Sequence, residues 1–181
     1  MSFDWSSALT EQLDRYMNEF LVPRLRGLGD EEYLWEPVVG CWTVRARADG
    51  TFSYDFTWPE PSPPPVTTIG WRVNHLAGGI FAMWTNHHFG DRSLDFPDLL
   101  IAGTAADGIE LLTTAIGEWR RGIASLRAVD FESPRRGPPW ENHDARPFAY
   151  VAQDANLELI HHGAEIALLR DLFRERGATR H

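Results

Sequence analysis

Apolar residues recur with a helical period in four stretches of the chain, and the segments between them carry the turn-formers. In 4-DWSSALTEQLDRYMNEFLVPRLRGLG-29, Leu9, Leu13, Tyr16, Phe20 and Leu21 fall at helical spacing. Ser6 or Ser7 is placed to cap this first helix, Gly27 and Gly29 to stop it, and Pro23 to kink or shorten it. A second helix is predicted from Thr67 or Thr68 to about Phe89, with the stripe Ile69, Val73, Leu76, Ile80 and Met83, and Gly90 ends it. A third runs from Thr104 to about Val129, where the opening TAAD resembles a capping box with Asp in place of Glu. A fourth begins near Pro147 and ends before Gly177.

The connections read differently. Residues 30–66 are irregular, with Trp35, Trp42, Trp58, Pro37 and the run 59-PEPSPPP-65. Within them 50-GTFSYDFTW-58 alternates weakly, which predicts a short hairpin between the first and second helices. The loop 130-DFESPRRGPPWENHDARP-147 is rich in Pro, Gly and charge. The expected fold is all-α, a four-helix bundle forming one domain over residues 1–181.

Composition removes several classes of function. A chain of 181 residues with 43% hydrophobic residues and eight Trp is a packed globular protein. Its net charge of −9 argues against a nucleic-acid footprint. No apolar run approaches the roughly 20 residues of a membrane span, and MSFDWSSALTEQ lacks the basic start and apolar core of a leader, so a cytoplasmic protein is expected. Cys41 is the only cysteine, beside Trp42 in an apolar setting, which suits an inert buried thiol. All 17 basic residues are Arg, a hint of a GC-rich genome.

The candidate chemistry sits in 156-NLELIHHGAEIALLRDLF-173. Glu158 and His162 are four apart and project from one helix face, roughly 5–6 Å apart at Cβ, so both can reach one divalent cation. The plain alternative is an ordinary i,i+4 pair on a wet face. His161 is rotated about 100° from His162 and cannot easily serve the same ion. In the second helix His75 lies just off the apolar stripe, with Trp71, Gly78, Gly79 and Ala82 on its own side. Those small residues cost helix propensity and leave space for a packed neighbour or a ligand. Arg72 and Arg170 are candidates to bind an anionic substrate, Arg170 equally to cover a helix end, and Glu165 is a weak candidate base. His87 and His88 suit the C-terminal end of the second helix dipole, while His143 reads as a solvated loop residue and His181 as part of a disordered terminus.

Three stretches carry a resemblance: 33-YLWEPVVGCWTVR-45, 66-VTTIGWRVNHLA-77 and 161-HHGAEIALLRDL-172. In this order they resemble the DinB superfamily of metal-binding four-helix bundles. The resemblance implies a metal site drawing one His from the second helix and two ligands from the fourth, which here are His75, Glu158 and His162. Many members have His where this chain has Glu158, although members similar to mycothiol-dependent maleylpyruvate isomerase use a His-Glu-His set. It further implies one divalent transition metal, Zn²⁺ first, with Ni²⁺, Mn²⁺ or Fe²⁺ as alternatives. Low-molecular-weight thiol, mycothiol or bacillithiol, would be the co-substrate and a small electrophile the acceptor, giving an S-transferase or isomerase. Arg72, Trp71 and Trp42 are the expected substrate-binding residues. A non-catalytic metal- or ligand-binding bundle acting as a homodimer is the alternative, and a metal-dependent hydrolase a lesser one.

Overall fold

The computed structural model describes residues 3–135 and 146–177. Helix α1 spans 5–25 as Trp5–Arg15, a π turn Tyr16–Leu21 and Val22–Leu25. Helix α2 spans 69–89 as Ile69–Asn74, a second π segment His75–Ala82 and Met83–Phe89. Helices α3 (Ala105–Ala124) and α4 (Phe148–Glu175) complete the expected bundle. None of the helices among the described residues is long and apolar enough to cross a membrane.

The buried line of α1 is Leu9, Leu13, Met17, Leu21 and Leu25, every fourth residue. In a regular α-helix such a line drifts by roughly 40° per step. The π turn advances less per residue and brings the line back under the core. Phe20 therefore does not join the core as the periodicity suggested; it is half exposed and stacks on Tyr16 at 5.7 Å between ring centres. The cap also differs from expectation. Asp4 accepts the Ser7 amide at 3.0 Å, whereas the Ser6 hydroxyl donates to Ile123 O and ties α1 to α3. Pro23 is accommodated just after the π turn, and α1 continues to Leu25.

Helix α3 stops at Ala124 and not near Val129. The chain straightens at Arg127, whose amide donates to the Asp130 carboxylate at 2.9 Å, and a separate turn Ala128–Glu132 starts there. Thr104 and Thr68 cap α3 and α2 as expected, each accepting an amide at 3.2 Å.

The hairpin forms as strands β1 (Val44–Ala46) and β2 (Phe52–Tyr54), antiparallel, with Val44 opposite Tyr54 and Ala46 opposite Phe52. Gly50, at φ +84°, supplies the left-handed turn between them. Two further bonds clamp the hairpin to the start of α2: Trp42 N to Val66 O and Thr68 N to Trp42 O, both 3.0 Å. A two-residue ladder, β3 (Pro134–Arg135) with β4 (Arg146–Pro147), leads into α4.

Trp119 is wholly buried at the middle of the core, with Phe81, Trp84, Phe89 and Phe148 around it. His88 packs its ring against Trp119 and Phe148, so it belongs to this aromatic core, and His87 Nε2 lies 3.2 Å from Leu94 O. Next to it runs a buried polar knot: Asn74 Nδ2 donates to Tyr33 Oη, Gly70 O and Ala102 O, and Asn74 Oδ1 accepts the Ala102 amide at 2.7 Å. The knot ties the segment before α3 to α2 one residue ahead of His75. Arg170 is not free for a substrate. It holds Glu32 with two bonds of 2.8 and 3.0 Å and donates to Arg24 O and Arg26 O, closing the end of α1.

Candidate metal centre

Helices α2 and α4 bring His75, Glu158 and His162 to one spot. His162 Nε2 lies 3.2 Å from Glu158 Oε2, and His75 Nε2 lies 3.7 Å from the same oxygen. One donor atom from each residue falls within 4.8 Å of the other two. Around a tetrahedral Zn²⁺ with bonds of about 2.0–2.1 Å, neighbouring donors stand about 3.4 Å apart. The observed separations suit one shared ion, and two imidazoles with a carboxylate are a suitable donor set. Three protein ligands would leave a coordination position open on such an ion. The Glu158 side chain is about a third exposed (36%), so the spot communicates with solvent. His75 opens the π segment of α2.

The ring of His162 is held from behind. Its Nδ1 lies 2.7 Å from Glu165 Oε2, which only accepts, an arrangement that would keep a proton on Nδ1 and leave Nε2 for an ion. Arg72 Nη1 donates to the same Glu165 oxygen and lies 3.0 Å from His162 Nδ1. This places Arg72 behind the ligand set, paired with Glu165. His161, His162 and Glu165 form a second cluster of potential donors. It is the poorer cage, because Arg72 already neutralises Glu165 and His162 Nδ1 is spent on that carboxylate. His161 is 62% exposed, with Nε2 3.6 Å from Glu165 Oε1.

Local charge follows from these contacts. The Glu158 carboxyl is held down at about 2 by hydrogen bonds from His162 and His75. Burial opposes protonation of His162, but the Glu158 and Glu165 carboxylates outweigh it and raise its pKa above 6.5. Burial dominates at His75 and lowers its pKa. Burial raises Glu165, yet His162 and Arg72 overcome it and leave it lowered.

These shifts set a pH dependence for metal uptake. The proton on His162 must leave when an ion takes Nε2, so affinity is expected to rise with pH, about tenfold per unit, until the raised pKa of His162 is passed. Above that pH it should level off. Glu158 adds no slope until the medium approaches pH 2. Calorimetric titration with Zn²⁺ between pH 5.5 and 8.5 checks this, and a flat profile would contradict the assignment of His162.

Aromatic rings wall the site on the hairpin side. Trp71 stacks on His75 at 4.9 Å and 14°, and its Nε1–H donates to Asp55 O at 2.7 Å. Trp42 lies 5.9 Å from Trp71 and 6.1 Å from Phe56; Phe56 meets Phe96 at 4.5 Å, and Phe96 meets Tyr54 at 5.6 Å. Of the expected substrate residues, Trp71 is buried against His75 itself, and Trp42 stands one ring further out. Tyr54, Phe56 and Phe96 were not singled out from the sequence. The alternation at 50–58 was the signal for the first two, and nothing marked Phe96. Cys41 is buried and its Sγ donates to Val38 O at 3.0 Å, as expected of an inert thiol. His143 and His181 lie outside the described residues.

A four-helix bundle with an open His-Glu-His donor set between its second and fourth helices defines a class of metal-site bundle proteins. Residues 12–166 match the family model of the DinB superfamily, and the chain belongs to that superfamily. No curated protein and no solved structure matches the chain.

Proposed function

We propose that the protein is a metal-dependent thiol S-transferase or isomerase, with His75, Glu158 and His162 holding one divalent transition metal, Zn²⁺ first. The observation that carries the reading is the three-donor arrangement with donor separations of 3.2 and 3.7 Å and a solvent-facing carboxylate. An open metal of this kind lowers the pKa of a bound thiol and supplies a thiolate at neutral pH. The charge of the surroundings favours such a ligand. Glu158 and Glu165 bring two negative charges and Arg72 one positive, so a dication leaves a surplus of one positive charge for an anionic sulfur to neutralise.

The same residues support thiol chemistry over hydrolysis. Water attack calls for a carboxylate or imidazole free to take a proton beside the ion. Glu165 is bound to Arg72 and His162, so it is not free for that work. Trp42, Phe56 and Phe96 offer apolar walls for the carbon skeleton of an electrophile. Mycothiol is the preferred thiol, bacillithiol the alternative.

The test is thermal. A thiol that binds only the folded, metal-loaded protein must raise its Tm, by about 2.7 kcal/mol of stabilisation at a hundred times Kd. Mycothiol or bacillithiol is expected to raise the Tm of Zn²⁺-loaded protein and not of EDTA-treated protein. No shift with either thiol at millimolar concentration would favour a metal-binding bundle without this activity.

A further inference from the structure

Metal-ligating imidazoles need a partner on their second nitrogen. Without one the ring is free to turn and its tautomer is undefined. His162 has Glu165 for this purpose. His75 turns Nε2 toward Glu158, which leaves Nδ1 facing the other way, toward the hairpin. The Tyr54 hydroxyl lies on that side, beside Gly79.

Three observations concern that hydroxyl. Tyr54 Oη is buried and has no hydrogen-bond partner among the described residues. A β-carbon built on Gly79 would stand 3.6 Å from Tyr54 Oη and 3.5 Å from His75 Nδ1, so the two polar atoms border one small gap that glycine keeps open. Tyr54 is also held in place: it pairs with Val44 in the hairpin, and its ring meets the Trp71 ring edge-on at 5.8 Å and 84°. Trp71 in turn stacks on His75. If Tyr54 served only to fill the small cluster of Val44 and Trp71, phenylalanine would do so without burying a hydroxyl, which costs about 1–3 kcal/mol when unpaired.

We infer that Tyr54 is a positioning residue for the metal ligand His75. With an ion on Nε2, His75 Nδ1–H donates to one water seated beside Gly79 and that water donates to the Tyr54 hydroxyl oxygen, which holds the ring in the orientation that offers Nε2 to the ion. The gap has the polar neighbours a bound water requires, and a methyl group at position 79 would occupy it. The inference rests on the metal-centre reading and adds a residue to it from outside the helices that carry the ligands. It also gives the hairpin a role: the strand register that sets Tyr54 opposite Val44 reaches the ion through one imidazole.

The experiment compares wild type, Tyr54→Phe and Gly79→Ala. Zn²⁺ affinity is measured by competition with a chromophoric chelator, the visible absorption of the Co²⁺-loaded protein is recorded, and the Tm of metal-free protein is taken in parallel. The expected result for Tyr54→Phe is a Kd weaker by about tenfold or more, an altered Co²⁺ spectrum, and a metal-free Tm equal to or above that of wild type. Gly79→Ala is expected to change affinity and spectrum in the same direction. A Tyr54→Phe protein with wild-type affinity and spectrum overturns the inference while leaving the metal centre standing. A metal-free Tm that falls sharply in Tyr54→Phe overturns it too, because the phenol would then matter to packing. Failure of the wild type to take up any metal would remove the centre itself and this role with it.

Discussion

Replacement of His162 by Ala is expected to reduce bound metal from about one ion per chain to almost none. The ion would keep only His75 and Glu158, and Glu165 would lose the ring it orients. Elemental analysis of protein purified without chelator measures the ratio directly. His161→Ala is the matched control: this imidazole is 62% exposed and faces Glu165, so its loss should leave the metal content unchanged. A second reading comes from stability. Wild type should gain Tm on loading with Zn²⁺, because an ion that binds only the folded state stabilises it, and His162→Ala should gain nothing. Equal metal content in wild type and His162→Ala would remove these residues from consideration as ligands.

The second large effect is expected at Asn74→Leu. The side chains are similar in size, so little volume changes, but the leucine can neither accept the Ala102 amide nor donate to Ala102 O and Tyr33 Oη. Each buried group left without a partner costs about 1–3 kcal/mol. Tyr33 Oη still donates to Ala102 O, so the Ala102 amide is the group left bare and the cost is expected to be about 1–3 kcal/mol, which for a chain of this length lowers Tm by roughly 2–12 °C. Scanning calorimetry of metal-free protein reads it without interference from the ion. An unchanged Tm would mean that the knot does not bind the segment before α3 to α2.

Much of this arrangement was legible in the sequence because it depends on periodicity. The stripes Leu9–Leu13 and Ile69–Val73–Leu76–Ile80 announce helices, and Glu158 with His162 four residues on announces one shared face. The caps Thr68 and Thr104 were readable for the same local reason. Contacts between distant parts were not. That Glu165 bonds the back of His162 and is itself held by Arg72 depends on how α2 lies against α4, which no spacing encodes. Arg72 looked free for a substrate because its partner is 93 residues away. Phe20 looked buried because an ideal helix was assumed through a stretch that widens into a π turn. Asp4 and not Ser6 or Ser7 is the cap because the helix already opens at Trp5, which puts Ser6 and Ser7 inside it.

The widened stretch His75–Ala82 constrains how the gene can change length. Up to and including its first residue α2 presents Trp71, Arg72 and His75; downstream, Trp84 and Phe89 grip Trp119. Each residue inserted or deleted between these halves would twist one against the other by about 100°. A frame-preserving codon change there would swing the imidazole off its target while the aromatic anchor stayed seated. Tolerated indels should instead gather beyond Gly90, in the turns leading to α3.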